Sequence, residues 1–336
     1  MKILLVTPNF HQPRGNTVTV KRIADKLAKE NVETEIISVT EDQAISALPP
    51  ADIVHGFNSY RFYKFKQQLK QKIKPYIVTM TGTDLNYDLF DKNRRSDVIE
   101  SVIEASAVHV FNEEAKQILI QEVPSVAQKV IVIPQDTSEF EDVDFPLLKE
   151  KDTFMFVLPA GIRKIKNVPF AINALKVLHK KHPNIRLLLV GPILEASEGK
   201  VVQELVNQNS DWVLYIGEVP HEKMGAIYRQ ADALLNTSHS EGQSTTIMEG
   251  MASGLPVLVS DNHGNRSLVS NSKTGFIYKD QVGFLEYAEC LLVDTKKRDE
   301  LAHSGKDHIH KHHSNSKEAE ALLRLYKSIL HKRDIN

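Results

Sequence analysis

Two glutamates, Glu241 and Glu249, stand eight residues apart around a polar run, Gly242-Gln243-Ser244-Thr245-Thr246, that opens a helix. At roughly 3.6 residues per turn this spacing leaves an offset of about 80°, so the carboxylates do not stack on one helical face. One precedes the helix and the other lies inside it. Ser and Thr cap helix starts, and the exposed amides there attract anions such as phosphate. Carboxylates flanking such a start can hold the two hydroxyl-bearing ends of one bent ligand, each bond contributing about 1.5–3 kcal/mol. The plainer alternative is a helix-dipole partner plus a solvated acid. A ligand with phosphates also needs fixed cations. Arg163 and Lys166 are candidates, in the loop Ala160-Gly161-Ile162-Arg163-Lys164-Ile165-Lys166-Asn167 between an apolar run and a helix. Taken alone, that loop reads as an ordinary basic turn.

These groups must be positioned by the alternation that runs almost from end to end of the 336 residues: short apolar runs, then amphipathic helical patterns. That is the signature of parallel α/β domains. Strands are expected at 2–8, 34–39, 53–56, 76–80, 107–111 and 130–134, then at 154–159, 185–190, 212–216, 233–236, 256–259 and 275–277. A turn at 13–16 should lead into a helix striped by Val20, Ile23, Ala24, Leu27 and Ala28. Further helices are expected at 169–182 and 244–253, and a last one buries Ala319, Leu322, Leu323, Tyr326, Ile329 and Leu330. The acidic, aperiodic stretch 139–152 reads as a linker, giving domains 1–145 and 152–315 with a closing helix at 316–336. Two open sheets joined by one linker imply a cleft, with ligands at the carboxyl ends of the strands. No G-x-G-x-x-G fingerprint accompanies Gly15.

Composition narrows the function. Forty-two basic against 43 acidic residues give a net charge of −1, which argues against nucleic acid as partner. The single cysteine excludes an intrachain disulfide and any multi-cysteine metal site. No apolar run approaches a membrane span, and the opening residues lack signal-peptide character, so a cytoplasmic location is expected. Asp142-Val143-Asp144 falls in the acidic linker and reads as solvated rather than metal-binding. His308, His310, His312 and His313 read as an exposed helix end. The segment 61–74 carries Arg61, Lys64, Lys66, Lys70, Lys72 and Lys74, with Phe62, Phe65, Leu69 and Ile73 at helical spacing. It reads as an outer helix packed on the first sheet, the alternative being a weak peripheral contact with an anionic membrane.

The order strand, G-x-R-x-x-K-N, helix, then V-G, I-G-E-V-P, S-x-x-E-G-x6-E and G-x-P-V-L-V-S, resembles the nucleotide-sugar half of retaining glycosyltransferases of family 4. The likeness is strongest over 154–278. It implies the GT-B fold, an α/β architecture of two Rossmann-like parallel-sheet domains facing across a cleft, with the last helix packing back on the first domain. It implies a nucleotide diphosphate sugar as donor, an unknown hydroxyl acceptor, and no metal cofactor. By the same resemblance Arg163 and Lys166 clamp the donor diphosphate, beside Gly161. Glu241 holds sugar hydroxyls and Glu249 the ribose, while backbone at Glu218 and Val219 meets the base. Amides of Gly242, Gln243, Ser244 and Thr245 complete the phosphate cradle. Gly15-Asn16 matches a glycine-bearing loop that closes over the phosphates. Thr81-Gly82-Thr83-Asp84 matches an acceptor-side His-Gly-Thr-Asp segment near the reacting carbon, with Thr81 in place of the His. Gln243-Ser244-Thr245 and Gly250 also depart from the family's common residues. The rival readings are a nucleotide-sugar epimerase or another GT-B enzyme such as a phosphorylase, and a nucleotide-sugar-binding protein without catalysis.

Overall fold

The computed structural model describes every residue except 13, 43–46, 74, 138–139, 147–148, 315–316 and 336, and the backbone but not the side chains of 333–335. The expected strands form. They are β1 Lys2–Thr7, β2 Glu33–Ser38, β3 Ile53–Phe57, β4 Tyr76–Thr79, β5 Ala107–Val110 and β6 Val130–Val132, then β7 Phe154–Pro159, β8 Ile185–Val190, β9 Val213–Tyr215, β10 Ala233–Asn236, β11 Val257–Ser260 and β12 Phe276–Tyr278. They pair in parallel in two six-stranded sheets, ordered β2-β1-β3-β4-β5-β6 and β12-β11-β10-β7-β8-β9. Helices cover both faces of each sheet, so its strands are buried on both sides and read as continuous apolar runs. The strand order reverses between β1 and β3 in the first sheet and between β7 and β10 in the second. Open α/β sheets bind ligands at such points, outside the carboxyl ends of the strands.

The chain divides into two compact units, Met1–Asp136 with His313–Asn336, and Thr137–His312. The described part of 139–152 forms neither helix nor strand, but it is not a solvated linker throughout, because Phe140 and Phe145 pack on the core of the second unit. Residues 139 and 147–148 of that stretch lie outside the described residues. In the first unit the helix Lys317–Ile335 buries Ala319, Leu322 and Tyr326 with Val20, Ile23 and Leu27 of the helix Gly15–Lys29. Arg22 bonds both carboxylate oxygens of Glu318 at 3.0 Å, and Lys26 bonds Asp136 at 2.8 Å. His313 Nδ1 donates to the Gln135 carbonyl at 2.7 Å. These contacts tie both chain crossings to one helix.

A line of hydrogen bonds crosses the first sheet below that helix pair. His109 Nε2 faces the Ile133 carbonyl at 2.8 Å and must donate to it, so Nδ1 accepts from Thr79 Oγ1 at 2.8 Å. Thr79 then accepts from His55 Nε2 at 2.6 Å, and His55 Nδ1 accepts from the Tyr326 hydroxyl at 2.7 Å. Every donor finds an acceptor with both rings neutral. Burial favours that state: it pushes the His109 pKa down to about 4 and that of His55 well below the ordinary value.

The basic segment forms the helix Ser59–Gln68. Phe62, Phe65 and Ile73 are all in the core of the first sheet, so the apolar stripe that a membrane would need is already covered. Lys64 and Lys66 pair with Asp97 and Glu104 of the neighbouring helix Arg95–Glu104, and Lys74 lies outside the described residues. No helix among the described residues is long and apolar enough to cross a membrane.

Candidate active site

In the second unit the loops that follow β7 and β10, the two strands at the switch point, carry the acid–cation constellation. After β7 the chain passes Gly161 and Arg163, makes one helical turn at Lys164–Lys166, and reverses through Asn167, whose φ of 50° is left-handed. After β10 come Thr237 and Ser238, then Glu241 and Gly242, and then the helix Thr245–Ala252. Two bonds stitch the loops together: Thr237 Oγ1 donates to the Lys166 carbonyl at 2.9 Å, and the His239 amide donates to the Ile165 carbonyl at 2.9 Å. Between them Lys166 Nζ meets Glu241 Oε1 at 2.6 Å. Ser238 Oγ and Asn236 Nδ2 donate to the same oxygen at 2.6 and 3.1 Å. Burial pushes the Glu241 carboxyl up, but the ammonium, hydroxyl and amide outweigh it and hold the group below its ordinary range.

Arg163 stands differently. Its Nε is buried with no hydrogen-bond partner among the described residues. A buried donor left unmade is costly, and at a strand end it is placed where it can meet an acceptor. The helix Thr245–Ala252 is in a similar state. Its N-cap is Ser244, whose side chain makes no capping hydrogen bond and lies with Oγ 3.0 Å from Thr246 Oγ1 instead. A third loop closes the floor. Asn265 Nδ2 reaches the Ser260 carbonyl at 2.9 Å and Asn236 Oδ1 at 3.2 Å. Gly264 comes so near that an added Cβ would lie 2.4 Å from the Glu241 carbonyl oxygen. Only glycine fits there.

Glu249 lies within the helix and is almost wholly buried, at 2% exposure. Both of its oxygens are occupied, Oε2 by the Tyr228 hydroxyl at 2.8 Å and Oε1 by His221 Nε2 at 2.8 Å. His221 opens the turn His221–Lys223, just after the segment 216–220 that contains Glu218 and Val219. The Phe140 ring leans on both His221 and Tyr228, with centroids 5.3 and 5.7 Å apart. Sequence reasoning missed His221, Tyr228, Phe140, Asn236 and Ser238. The polar triplet Asn236-Thr237-Ser238 straight after a buried strand was a usable signal for two of them, and His221 directly follows the I-G-E-V-P motif.

The remaining candidates lie in the first unit. Gly15 and Asn16 form the first turn of the helix Gly15–Lys29 rather than a loop before it, and Pro13 of the expected turn lies outside the described residues. Thr81 caps the short helix Gly82–Asn86, which contains Thr83 and Asp84. Asp84 is fully buried: Oδ1 accepts from the Thr81 amide at 2.7 Å and hydroxyl at 2.9 Å, and Oδ2 from the Ser59 amide at 2.6 Å. Its carboxylate is spent on local structure. Asp142, 95% exposed, pairs with Arg229 at 3.0 Å. His308 and His312 lie ring to ring, 4.9 Å apart. No group of three or more His, Cys, Asp or Glu side chains that could hold a metal occurs among the described residues.

Comparison with known proteins places this geometry in context. The chain is 24% identical to "Glycosyltransferase 1 domain-containing protein 1" of Xenopus tropicalis over 326 residues, 94% of each chain. Its fold matches sucrose-phosphate synthase of Thermosynechococcus elongatus at a TM-score of 0.80, with 15% identity and 99% and 100% of the two chains covered. It matches Anabaena HepE, solved with UDP and glucose, at 0.77, with 16% identity and 98% and 100% covered. The architecture is thus the GT-B pairing of two Rossmann-like α/β units. The model of the family "Glycosyl transferases group 1" matches residues 139–308, the stretch holding the Lys166–Glu241 pair, the uncapped helix and the buried Glu249, and the chain belongs to that family.

Proposed function

We propose that the protein is a retaining glycosyltransferase of family 4 that takes a sugar from a nucleoside diphosphate sugar and passes it to a hydroxyl acceptor without a metal. The observation that carries this reading is the pairing of unmet donors at one switch point: the partnerless Arg163 Nε and the uncapped amides of the helix Thr245–Ala252. Both are suited to the anionic leaving group of such a donor. The family membership and the Anabaena neighbour solved with UDP and glucose support the choice of ligand.

In this reading the diphosphate lies over Gly161, Arg163 and Lys166 and against the amides of Gly242 to Thr245. Lys166 turns part of its charge from Glu241 to the phosphates as they arrive. Glu241 then faces the sugar, whose hydroxyls it orients. The nucleoside lies toward Glu218, Val219 and Glu249. Preorganised cations and amides stabilise the departing diphosphate, and the leaving phosphate accepts the proton of the incoming hydroxyl on the same face. No enzyme nucleophile is needed. Acceptor contacts are assigned to Thr81, Gly82 and Thr83 of the first unit. The test is a calorimetric panel of UDP-, GDP-, ADP- and TDP-sugars, followed by product NMR with and without excess EDTA. One donor should bind, and transfer with retained anomeric configuration should survive the chelator. Inversion of configuration, or loss of transfer restored by Mg²⁺ or Mn²⁺, would overturn the mechanism.

A further inference from the structure

We propose that the acceptor is an acidic sugar, held on the first unit by a face built from Tyr60, Arg61, Tyr87, Phe90 and Arg94. The inference rests on the transferase reading above and names the class of its acceptor. Tyr60 and Arg61 lie in the first turn of the helix Ser59–Gln68, after β3, one of the two strands at the switch point of the first sheet. Tyr87 and the turn Asp88–Phe90 directly follow the helix Gly82–Asn86, after β4. Two bonds join these loops. The Asn58 side-chain amide donates to Thr81 Oγ1 at 3.3 Å, and the Ser59 backbone amide donates to Asp84 Oδ2 at 2.6 Å. The face therefore continues the segment assigned to the acceptor.

The guanidinium carbons of Arg61 and Arg94 lie 5.6 and 5.3 Å from the centroid of the Tyr60 ring. An arginine stacked on a ring keeps its N–H edge for an oxyanion. Arg94 is fixed and neutralised by the buried Asp88, Nη1 to Oδ1 at 2.8 Å. Arg61 is exposed, and its guanidinium has neither an ion pair nor a hydrogen bond among the described residues. It carries the uncompensated charge of the face. The other acid of this turn, Asp91, accepts the Asn93 amide at 2.8 Å, and Lys92 beside it is exposed. Next to this charge two rings face water, Tyr87 at 45% and Phe90 at 52% exposure. Leu85 and Leu89 of the same segment are buried, so its exposed apolar surface is aromatic and not aliphatic. Flat rings without an aliphatic groove suit the C–H face of a sugar rather than an acyl chain, and a phenol hydroxyl suits its edge. The free cation adds the last requirement, a carboxylate or phosphate on that sugar.

The test is ligand-observed NMR titration of the full chain. The probes are glucose, galactose and mannose, their 6-phosphates, the uronates glucuronate and galacturonate, and inorganic phosphate. At least one acidic sugar should bind roughly tenfold more tightly than its neutral parent and than phosphate alone, the worth of one charge-assisted hydrogen bond. Arg61→Gln should bring that sugar down to the affinity of its neutral parent. Phe90→Ser should weaken acidic and neutral forms alike, roughly fivefold. Both positions are exposed, so melting temperatures and the affinities for UDP, ADP and GDP should match those of the parent protein. The proposal is overturned if no acidic sugar is preferred, if phosphate alone binds as tightly, or if the preference survives Arg61→Gln. A loss of nucleoside diphosphate binding in Arg61→Gln would assign the arginine to the donor and overturn it too. Acidic-sugar binding at this face without any nucleoside diphosphate binding removes the donor reading and leaves the face. The reverse result removes the face and leaves the donor reading.

Discussion

Arg163 and Lys166 are three residues apart, yet they stand in opposite situations. Lys166 is neutralised by Glu241 at 2.6 Å, whereas Arg163 holds a buried Nε without a partner among the described residues. Their substitutions should therefore separate. Arg163→Ala removes a group that satisfies nothing inside the fold, so it should weaken nucleoside diphosphate binding by about 1.5–3 kcal/mol and leave the melting temperature unchanged. Lys166→Ala should weaken binding and also lower the melting temperature, because Glu241 then keeps its half-buried carboxylate without a cation. Calorimetry and thermal melts on the two variants give both readouts. A stability loss in Arg163→Ala, or unchanged affinity in both, would contradict this division.

Loops and strands carry the next layer of constraint. Gly264 lies in the short helix His263–Arg266, and its missing Cβ makes room for the backbone of Glu241 and Gly242. Gly264→Ala should push that loop away, and a displacement of this kind should lower turnover at least tenfold, about 1.4 kcal/mol, with a smaller change in stability. Steady-state kinetics beside a melt would check it. In the first sheet the His55–Thr79–His109 line predicts acid sensitivity. Burial lowers the His109 pKa to about 4, so between roughly pH 6.5 and 4 the unfolded chain binds more protons than the folded one. The stabilisation is complete above about pH 6.5 and is lost as the pH falls through 4, on the order of 3 kcal/mol for His109 alone. His109→Gln should flatten the pH dependence of stability in that window, measured by urea unfolding of the first unit at stepped pH.

The two units differ in how the chain builds them. The second, Thr137–His312, is contiguous and has its own apolar clusters on both faces of its sheet. The first is closed by a helix from the other end of the chain, and both crossings are tied to Arg22 and Lys26. The fragment 137–312 should therefore fold alone and bind the nucleoside diphosphate, since 161–166 and 218–249 are all within it. It should carry out no transfer. Circular dichroism and calorimetry on the fragment test this, and an unfolded or non-binding fragment would move donor binding out of the second unit. Breaking the tie by Arg22→Met should cost the whole chain about 3–5 kcal/mol, because Glu318 stays buried without its partner.

Local composition was enough for the strands and for the helix start at the polar run. Strands buried on both faces must be continuously apolar, and a run of that kind needs no distant partner to be recognised. The same local logic exposed Arg163, Lys166, Glu241 and Glu249 as groups at strand ends and at a helix start. What each of them touches was decided only by the tertiary structure. Lys166 meets Glu241 across 75 residues because β7 and β10 lie side by side at the reversal of the sheet, an ordering that no spacing along the chain encodes. His221 reaches Glu249 across 28 residues although the strands before them, β9 and β10, are not neighbours in the sheet, and Asp84 turns inward because Ser59, at the start of the helix after β3, supplies the second amide. Secondary structure follows from neighbours in sequence. Hydrogen-bond partners follow from which loops the sheet order brings together, and that order is settled by packing of the whole unit.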